Sequence, residues 1–340
     1  MAEAVKIVRT DAELECPRID AGLKQRGRLV LLPDGVAETA LAAEVADADL
    51  LLMCYTPVTA RVIGQAAKLK GIVKYGVGID AIDIQAASAR GIPVVNVPEY
   101  AEATVAEAAF ALLIALAKKL PAIERAMQGP GWIWPTGDWL GRDLAGETLG
   151  LVGVGRIARS MARMAGAGFR MRVLGYDPYV EAEEMRARGV EKREDLHALL
   201  AESDVVSVHA VLSAETRHLI GGAEFACMKP SAIFINTARG AIADEAALLR
   251  ALEAGEIAGA GLDVYGAEPL ARSGHPLSAL YGRENVILLP HLAFYTGEAM
   301  RRLEDETLER CFEVLDGRPV LVKSRDPRLT AQRHGVSFGA

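Results

Sequence analysis

Residues 148–162, TLGLVGVGRIARSMA, place a short apolar run ahead of Gly153, Gly155 and Ala158 and a helix-forming segment behind them. A strand that turns directly into a helix gathers the first amides of that helix at one point, where they face an anion. A Cβ at Gly153 or Gly155 would stand between this backbone and a pyrophosphate, so glycine at both places suits a dinucleotide loop. Ala158 in the third place is an accepted variant. Taken alone, the same spacing also describes an incidental tight turn, and its surroundings must decide.

The next apolar run, MRVLGYD, ends in Asp177, 24 residues after Gly153. That is near the ~20 residues at which an acid reaches the adenosine ribose hydroxyls. Its charge would repel a 2′-phosphate, and Pro178 and Tyr179 follow it rather than a cation, so NAD is expected and NADP disfavoured. The bland reading of Asp177 is a strand-end turn residue before proline.

Outward from this motif, β-rich runs alternate with Ala-rich helical segments. VKIVR, RLVLLP, DLLLMC, GIVKYG and VVNV fall in the first hundred residues. TLGLVGVG, MRVLGYD, DVVSVHA, AIFINTA, GAGLDVY and NVILLP follow. Such alternation predicts βαβ units with parallel sheets, and six strands of the second series complete a doubly wound dinucleotide domain. Between the series, EATVAEAAFALLIALAKKL predicts a long helix linking the domains. After the sixth strand, GEAMRRLEDETLERCFEVLDG predicts an amphipathic helix returning to the first domain, which is therefore discontinuous. The expected division is 1–100 with 295–325, then 101–294 as the NAD-binding Rossmann domain, and 326–340 as a loose C-terminal tail.

A chain of 340 residues is long enough for two cores. With 51% hydrophobic, 24% charged and 5% aromatic residues it has the composition of an ordinary globular enzyme. A net charge of −7 supplies no basic face for a phosphate backbone, so no nucleic-acid partner is expected. The most apolar stretch, Ala108–Ala117, is ten residues, against the ~20 that span a bilayer, so no membrane partner is expected. Cys16, Cys54, Cys227 and Cys311 lie far apart with no CxxC pair, which points to reduced thiols in the cytoplasm and to no metal site. The N-terminus lacks the apolar core of a secretory signal.

Three polar stretches fall at strand ends of the second series, the edge of an open α/β sheet where ligands collect. They carry Arg239 in NTARGAIADE, Glu268 with Asp263 in GLDVYGAEP, and His291 in LPHLAF. An arginine offers a fixed fork of donors to a carboxylate. A histidine bonded to a carboxylate, here Glu268, holds one tautomer and can pass a proton to a carbonyl oxygen near neutral pH. Each also has a structural reading, as a surface cation, a turn residue before Pro269 and a satisfied core histidine. His209 ends another predicted strand, whereas His197, His218, His275 and His334 are read as structural or solvated.

The ordered series KYGVGIDAIDIQAA, TLGLVGVGRIA, YDPY, SVHAVLSAETRHLI, MKPSAIFINTARGAIADEAALLRAL, AGAGLDVYGAEP and PHLAFYT resembles the D-isomer-specific 2-hydroxyacid dehydrogenases across nearly the whole chain. The resemblance implies a Rossmann domain inserted in a discontinuous flavodoxin-like substrate domain, assembled as a homodimer. It implies that Arg239 binds the substrate carboxylate, His291 exchanges a proton with the 2-oxo group, and Glu268 orients His291. Backbone at Val77 and Gly78 would bind the carboxylate as well. For NAD it implies Thr104, Gly153, Gly155, Arg156 and Ile157, Asp177 at the ribose, His209, Val211 and Thr216 on the adenosine side, and Thr237, Ala238 and Asp263 at the nicotinamide.

The chain departs from the commonest pattern at Ala158, in HAVLS after His209, and at Phe294 and Tyr295, which look more like D-lactate dehydrogenases than phosphoglycerate enzymes. YTPVTARVI, GWIWPTGDWLGRDLAGETLGLVGVGRIAR and FYTGEAM most resemble the branch related to the C-terminal binding proteins. An NAD(H)-sensing corepressor-like binding protein is therefore one alternative to a dehydrogenase of 2-hydroxy acids, and a phosphite dehydrogenase another. Formate dehydrogenases carry glutamine where this chain has Glu268. Trp132, Trp134 and Trp139 are expected to pack at an interface, with Trp134 reaching a partner's substrate site as the sharper reading.

Overall fold

Strands buried on both faces of a parallel sheet read as nearly continuous apolar runs, and LLLM, TLGLV and IFIN become such strands, with every residue buried. The computed structural model describes residues 5–132 and 134–339. It separates into two units, Met1–Ala101 with Thr296–Ala340, and Glu102–Tyr295.

In the first unit, β1 (Lys6–Arg9), β2 (Arg28–Leu31), β3 (Leu50–Met53), β4 (Gly71–Lys74) and β5 (Val94–Asn96) form a parallel sheet in the order β2-β1-β3-β4-β5. This is the flavodoxin-like order. The helix Gly297–Leu315 belongs to the same unit and begins where the Thr296 hydroxyl accepts a hydrogen bond from the Ala299 amide at 3.2 Å. It buries Ala299, Leu303, Thr307, Cys311 and Val314, a stripe at helical spacing.

The second unit holds seven parallel strands: β6 (Thr148–Val152), β7 (Arg172–Tyr176), β8 (Glu191–Lys192), β9 (Val205–Val208), β10 (Ile233–Asn236), β11 (Gly259–Leu262) and β12 (Val286–Leu288). Their order, β12-β11-β10-β9-β6-β7-β8, reverses direction between β6 and β9. The doubly wound sheet thus has one strand more than the six predicted. β8 is a two-residue edge strand of polar residues, and nothing apolar marks it. The helix Glu102–Ala117 packs Ala106, Ala109, Phe110 and Leu113 into one cluster with Leu149, Leu151, Met161 and Ala158. It is therefore a core helix of this unit, which is why its sequence is apolar with so little polar periodicity. Ala158, fully buried there, fills the place where the glycine motif needs a small residue for helix packing.

The expectation of a loose tail over 326–340 is corrected. The Asp326 carboxylate accepts from the Arg328 amide at 2.9 Å and starts the helix Pro327–Thr330, Leu329 is fully buried, and β14 (Val336–Phe338) pairs in parallel with β13 (Val320–Val322). Gln332 supplies the anchor. Its side-chain Oε1 accepts from the Val94 amide at 2.7 Å and its Nε2 donates to the Val94 carbonyl at 2.8 Å, satisfying the outer edge of β5. One polar side chain does what a strand would otherwise do, so the polar sequence concealed the order. Gln332→Ala leaves both backbone groups without these partners and is expected to destabilise the protein by ~1–3 kcal/mol. A lower urea midpoint at unchanged slope checks this.

Candidate active site

The loop after β6 is shaped by two glycines with different duties. Gly153 sits at φ +87°, and a Cβ there would meet the Ala210 amide nitrogen at 2.6 Å, so the strand end after β9 requires glycine. Gly155 meets no such obstacle, since among the described residues no atom beyond its chain neighbours lies within 4 Å of where its Cβ would stand. Open space therefore adjoins the first turn of the helix Arg156–Arg163, whose N-cap Gly155 provides no side-chain hydrogen bond. That is a cradle for an anion at a helix N-terminus, where the first amides have no intrahelical acceptors, and it fits the pyrophosphate of a dinucleotide.

Around the cradle, Asp177 accepts from the Val154 amide at 2.9 Å and from the Tyr179 amide at 3.0 Å, so the carboxylate at the end of β7 also braces the glycine loop. Arg156 Nε lies 3.2 Å from Glu102 Oε1, which ties the motif helix to the helix bearing the buried Thr104; Ile157 is half-buried beside it. His209 Nε2 lies 2.9 Å from Ser207 Oγ and 3.3 Å from Met161 Sδ, and desolvation pushes its imidazole down to about 4. The departure HAVLS forms a loop closed on itself, with the Ser213 amide donating to Thr216 Oγ1 at 2.8 Å and Thr216 donating to the Val211 carbonyl at 2.6 Å. The hydroxyl of Thr237 is buried with no hydrogen-bond partner among the described residues.

The three residues expected to do chemistry meet at the ends of β10, β11 and β12. Asn236 builds the first loop, its Nδ2 donating to the Arg239 carbonyl at 2.9 Å and its Oδ1 accepting from the Ala238 amide at 3.0 Å. A Cβ on Gly240 would come within 1.9 Å of the Tyr265 carbonyl carbon, so the Arg239 loop rests directly on the loop that carries Glu268. Glu268 Oε1 accepts from the Tyr265 amide at 2.9 Å, and Oε2 lies 2.7 Å from His291 Nδ1. Burial pushes the Glu268 carboxyl up, but the hydrogen bond and charge of His291, the Tyr265 amide and the charge of Arg239 outweigh this and hold it below the usual carboxylate range. An ionised Glu268 only accepts, so Nδ1 carries the hydrogen. The His291 side chain is 24% exposed, enough to be reached.

His291 itself has φ +57°. Its amide donates to the Asp263 carbonyl at 2.8 Å, and the next two amides, Leu292 and Ala293, donate to the Asp263 carboxylate at 2.8 and 3.0 Å. Burial raises the Asp263 carboxyl despite these bonds. The Tyr265 hydroxyl donates to the Leu289 carbonyl at 2.7 Å, two residues before His291. Asn236, Tyr265 and this bracing use of Asp263 escaped the sequence reading. Their signal was only their place beside Arg239, Glu268 and His291 at the strand ends. Val77 and Gly78 lie in the first unit past β4, where Asn96 Nδ2 donates to the Val77 carbonyl at 2.6 Å.

A doubly wound sheet, a glycine cradle at its reversal point and an acid closing the second strand define the second unit as a dinucleotide-binding Rossmann domain. The family model for the D-isomer specific 2-hydroxyacid dehydrogenase NAD binding domain matches residues 110–293. A glyoxylate reductase of Korarchaeum cryptofilum is 42% identical over 268 residues, 78% of this chain and 79% of that one. A D-3-phosphoglycerate dehydrogenase of Methanocaldococcus jannaschii is 38% identical over 284 residues, 83% of this chain but only 53% of that longer protein. Among solved structures, the D-lactate dehydrogenase of Aquifex aeolicus, complexed with NAD and lactic acid, matches with a TM-score of 0.82 at 32% identity, covering 92% of this chain and 96% of that one. The chain belongs to the D-isomer specific 2-hydroxyacid dehydrogenases, a family of NAD-dependent oxidoreductases.

The setting of His209 gives a pH test. Its folded value, about 4, lies below the ordinary 6.5, so between these values the unfolded chain binds a proton that the folded chain refuses. Stability conferred by the neutral ring is complete above pH 6.5 and declines as the pH falls toward 4. His209→Gln is expected to remove this component, so that the wild type loses stability relative to the variant on acidification, as read from urea midpoints across the window.

Proposed function

We propose that the chain interconverts a small 2-oxo acid and its D-2-hydroxy acid with NAD, His291 acting as acid and base. The observation that carries this reading is the 2.7 Å contact between His291 Nδ1 and a carboxylate held in its anionic form, at the strand end next to Arg239. When bound, the nicotinamide cofactor would supply a hydride to the 2-carbon as NADH in reduction and accept it as NAD+ in oxidation. Gly153, Gly155, Arg156, Ile157 and Asp177 would hold its pyrophosphate and ribose, with Thr104, His209, Val211, Thr216, Thr237, Ala238 and Asp263 along the remainder.

In reduction, protonated His291 gives its Nε2 proton to the 2-oxo oxygen as negative charge develops there, and Glu268 stabilises the ring while it is cationic. In oxidation, neutral Nε2 takes the hydroxyl proton. Arg239 binds the substrate carboxylate through its fork, which fixes the 2-carbon relative to His291.

A homodimer belongs to this reading as well. Leu120, Ile123, Met127, Trp132, Trp134 and Leu140 are exposed within a span of about twenty residues, and large exposed apolar side chains of this kind suit a protein interface. We place the activity in the cytoplasm, in keeping with four free cysteines. Among the described residues no helix is long and apolar enough to cross a membrane.

Following NADH consumption against a panel from glyoxylate to bulky 2-oxo acids tests the activity and identifies the substrate. Tight NADH binding without turnover on any of them would favour a cofactor-sensing binding module. His291→Ala is expected to lower kcat by ~100-fold to 10,000-fold; full activity in the variant would remove the assignment. Arg239→Lys replaces a bidentate fork with a point charge and is expected to raise KM for the oxo acid by ~10-fold or more. An unchanged KM would count against carboxylate binding.

A further inference from the structure

We propose that Glu245 and His275 are positioning residues, a second glutamate–histidine pair that sets the loop carrying Glu268 and so aims His291. The proposal rests on the acid/base reading of His291 given above. His275, read from the sequence as structural or solvated, has a partner: its Nε2 lies 3.2 Å from Glu245 Oε2. Its Nδ1 accepts from the Leu277 amide at 3.1 Å, so the neutral ring carries its hydrogen on Nε2, toward the glutamate. The two side chains are 11% and 14% exposed, more sheltered than His291 and Glu268 at 24% and 30%.

Glu245 opens the helix Glu245–Ala254, whose preceding Asp244 accepts from the Ala247 amide at 3.0 Å, so the start of that helix is fixed. From there Glu245 Oε1 accepts from the Gly266 amide at 2.7 Å, while the amide one residue earlier, on Tyr265, donates to Glu268 at 2.9 Å. Two successive amides of one short loop thus point at two different carboxylates. The two amides belong to adjacent peptide planes, Val264–Tyr265 and Tyr265–Gly266, which meet at the Tyr265 Cα, so fixing Gly266 limits the φ and ψ through which the Tyr265 amide could turn away from Glu268. Release of Gly266 from Glu245 lets the Tyr265–Gly266 peptide turn and loosens the adjoining Val264–Tyr265 peptide that fixes Glu268 Oε1, and Oε2 then loses its fixed place against His291 Nδ1. Glu245 and His275 would touch neither substrate nor cofactor in this arrangement.

Two variants separate positioning from folding. Glu245→Gln keeps an acceptor for Gly266 but loses the anionic partner of His275. His275→Asn keeps an acceptor near the Nδ1 site for Leu277 but removes the group facing Glu245. Each is expected to lower kcat on the order of 10-fold, short of the ~100-fold that a misplacement of about 1 Å can cause. KM for NADH should stay within about twofold of wild type, because the cradle at Gly155 is untouched. In a His291→Ala background the same substitutions should have no further effect on residual turnover, since a group that acts through His291 has nothing left to act on.

Wild-type kcat in both folded variants, beside a crippled His291→Ala, would overturn this inference and leave the acid/base reading intact. Equal losses in the wild-type and His291→Ala backgrounds would overturn it too, as the mark of a general structural role. A fully active His291→Ala would instead sink the reading on which it rests.

Discussion

The buried carboxylate of Asp263 is the contact on which the site depends. His291 stands at φ +57°, a backbone conformation that costs a non-glycine residue about 1–3 kcal/mol. Against this stand two charge-assisted hydrogen bonds from Leu292 and Ala293 to the carboxylate, each worth ~1.5–3 kcal/mol, and a third bond from the His291 amide to the Asp263 carbonyl. The bonds prevail, and the turn is held open at the one residue whose side chain must leave the sheet toward Glu268. Desolvation of Asp263 offsets part of the gain, which is why its carboxyl sits above its ordinary range.

The sheet itself explains why three distant stretches of chain converge there. Asn236 is in register with Leu262, and Leu262 with Leu288, so β10, β11 and β12 end side by side. Arg239, Asp263 and His291 follow those three residues by three, one and three positions. The loop after β11 lies between the other two and touches both, through Gly240 on one side and through the Tyr265 hydroxyl and Glu268 on the other. A parallel sheet makes such a convergence unavoidable, because every strand delivers its carboxyl end to the same edge. What the sequence must add is side chains that keep the loops from drifting apart.

Much of this was legible because burial on both faces writes strands as apolar runs, and because Arg239, Glu268 and His291 follow such runs directly. Order maintained by polar contacts was not. β8 is Glu191 and Lys192, the tail is fastened by Gln332, and neither leaves a hydrophobic trace. The pairing of His275 with Glu245 spans thirty positions and exists only because a helix start and a later loop are folded together. Gly153 was legible as a requirement, but its reason lay elsewhere: the protein's own backbone at Ala210, rather than a ligand, excludes a Cβ there.

Two histidines of the same domain show how surroundings divide the work of one side chain. His209 has a hydroxyl and a thioether at its Nε2, and desolvation alone keeps it uncharged. A neutral ring can pack and hydrogen-bond near a bound dinucleotide without adding charge. His291 faces a carboxylate that stays ionised, so its ring can gain a proton without leaving an uncompensated cation in a half-buried site. The difference is made by Glu268, and hence by whatever holds the loop that carries it. Under the proposed acid/base role of His291, control of proton transfer lies in backbone contacts at the ends of β11 and β12, one layer behind the atoms that would meet a substrate.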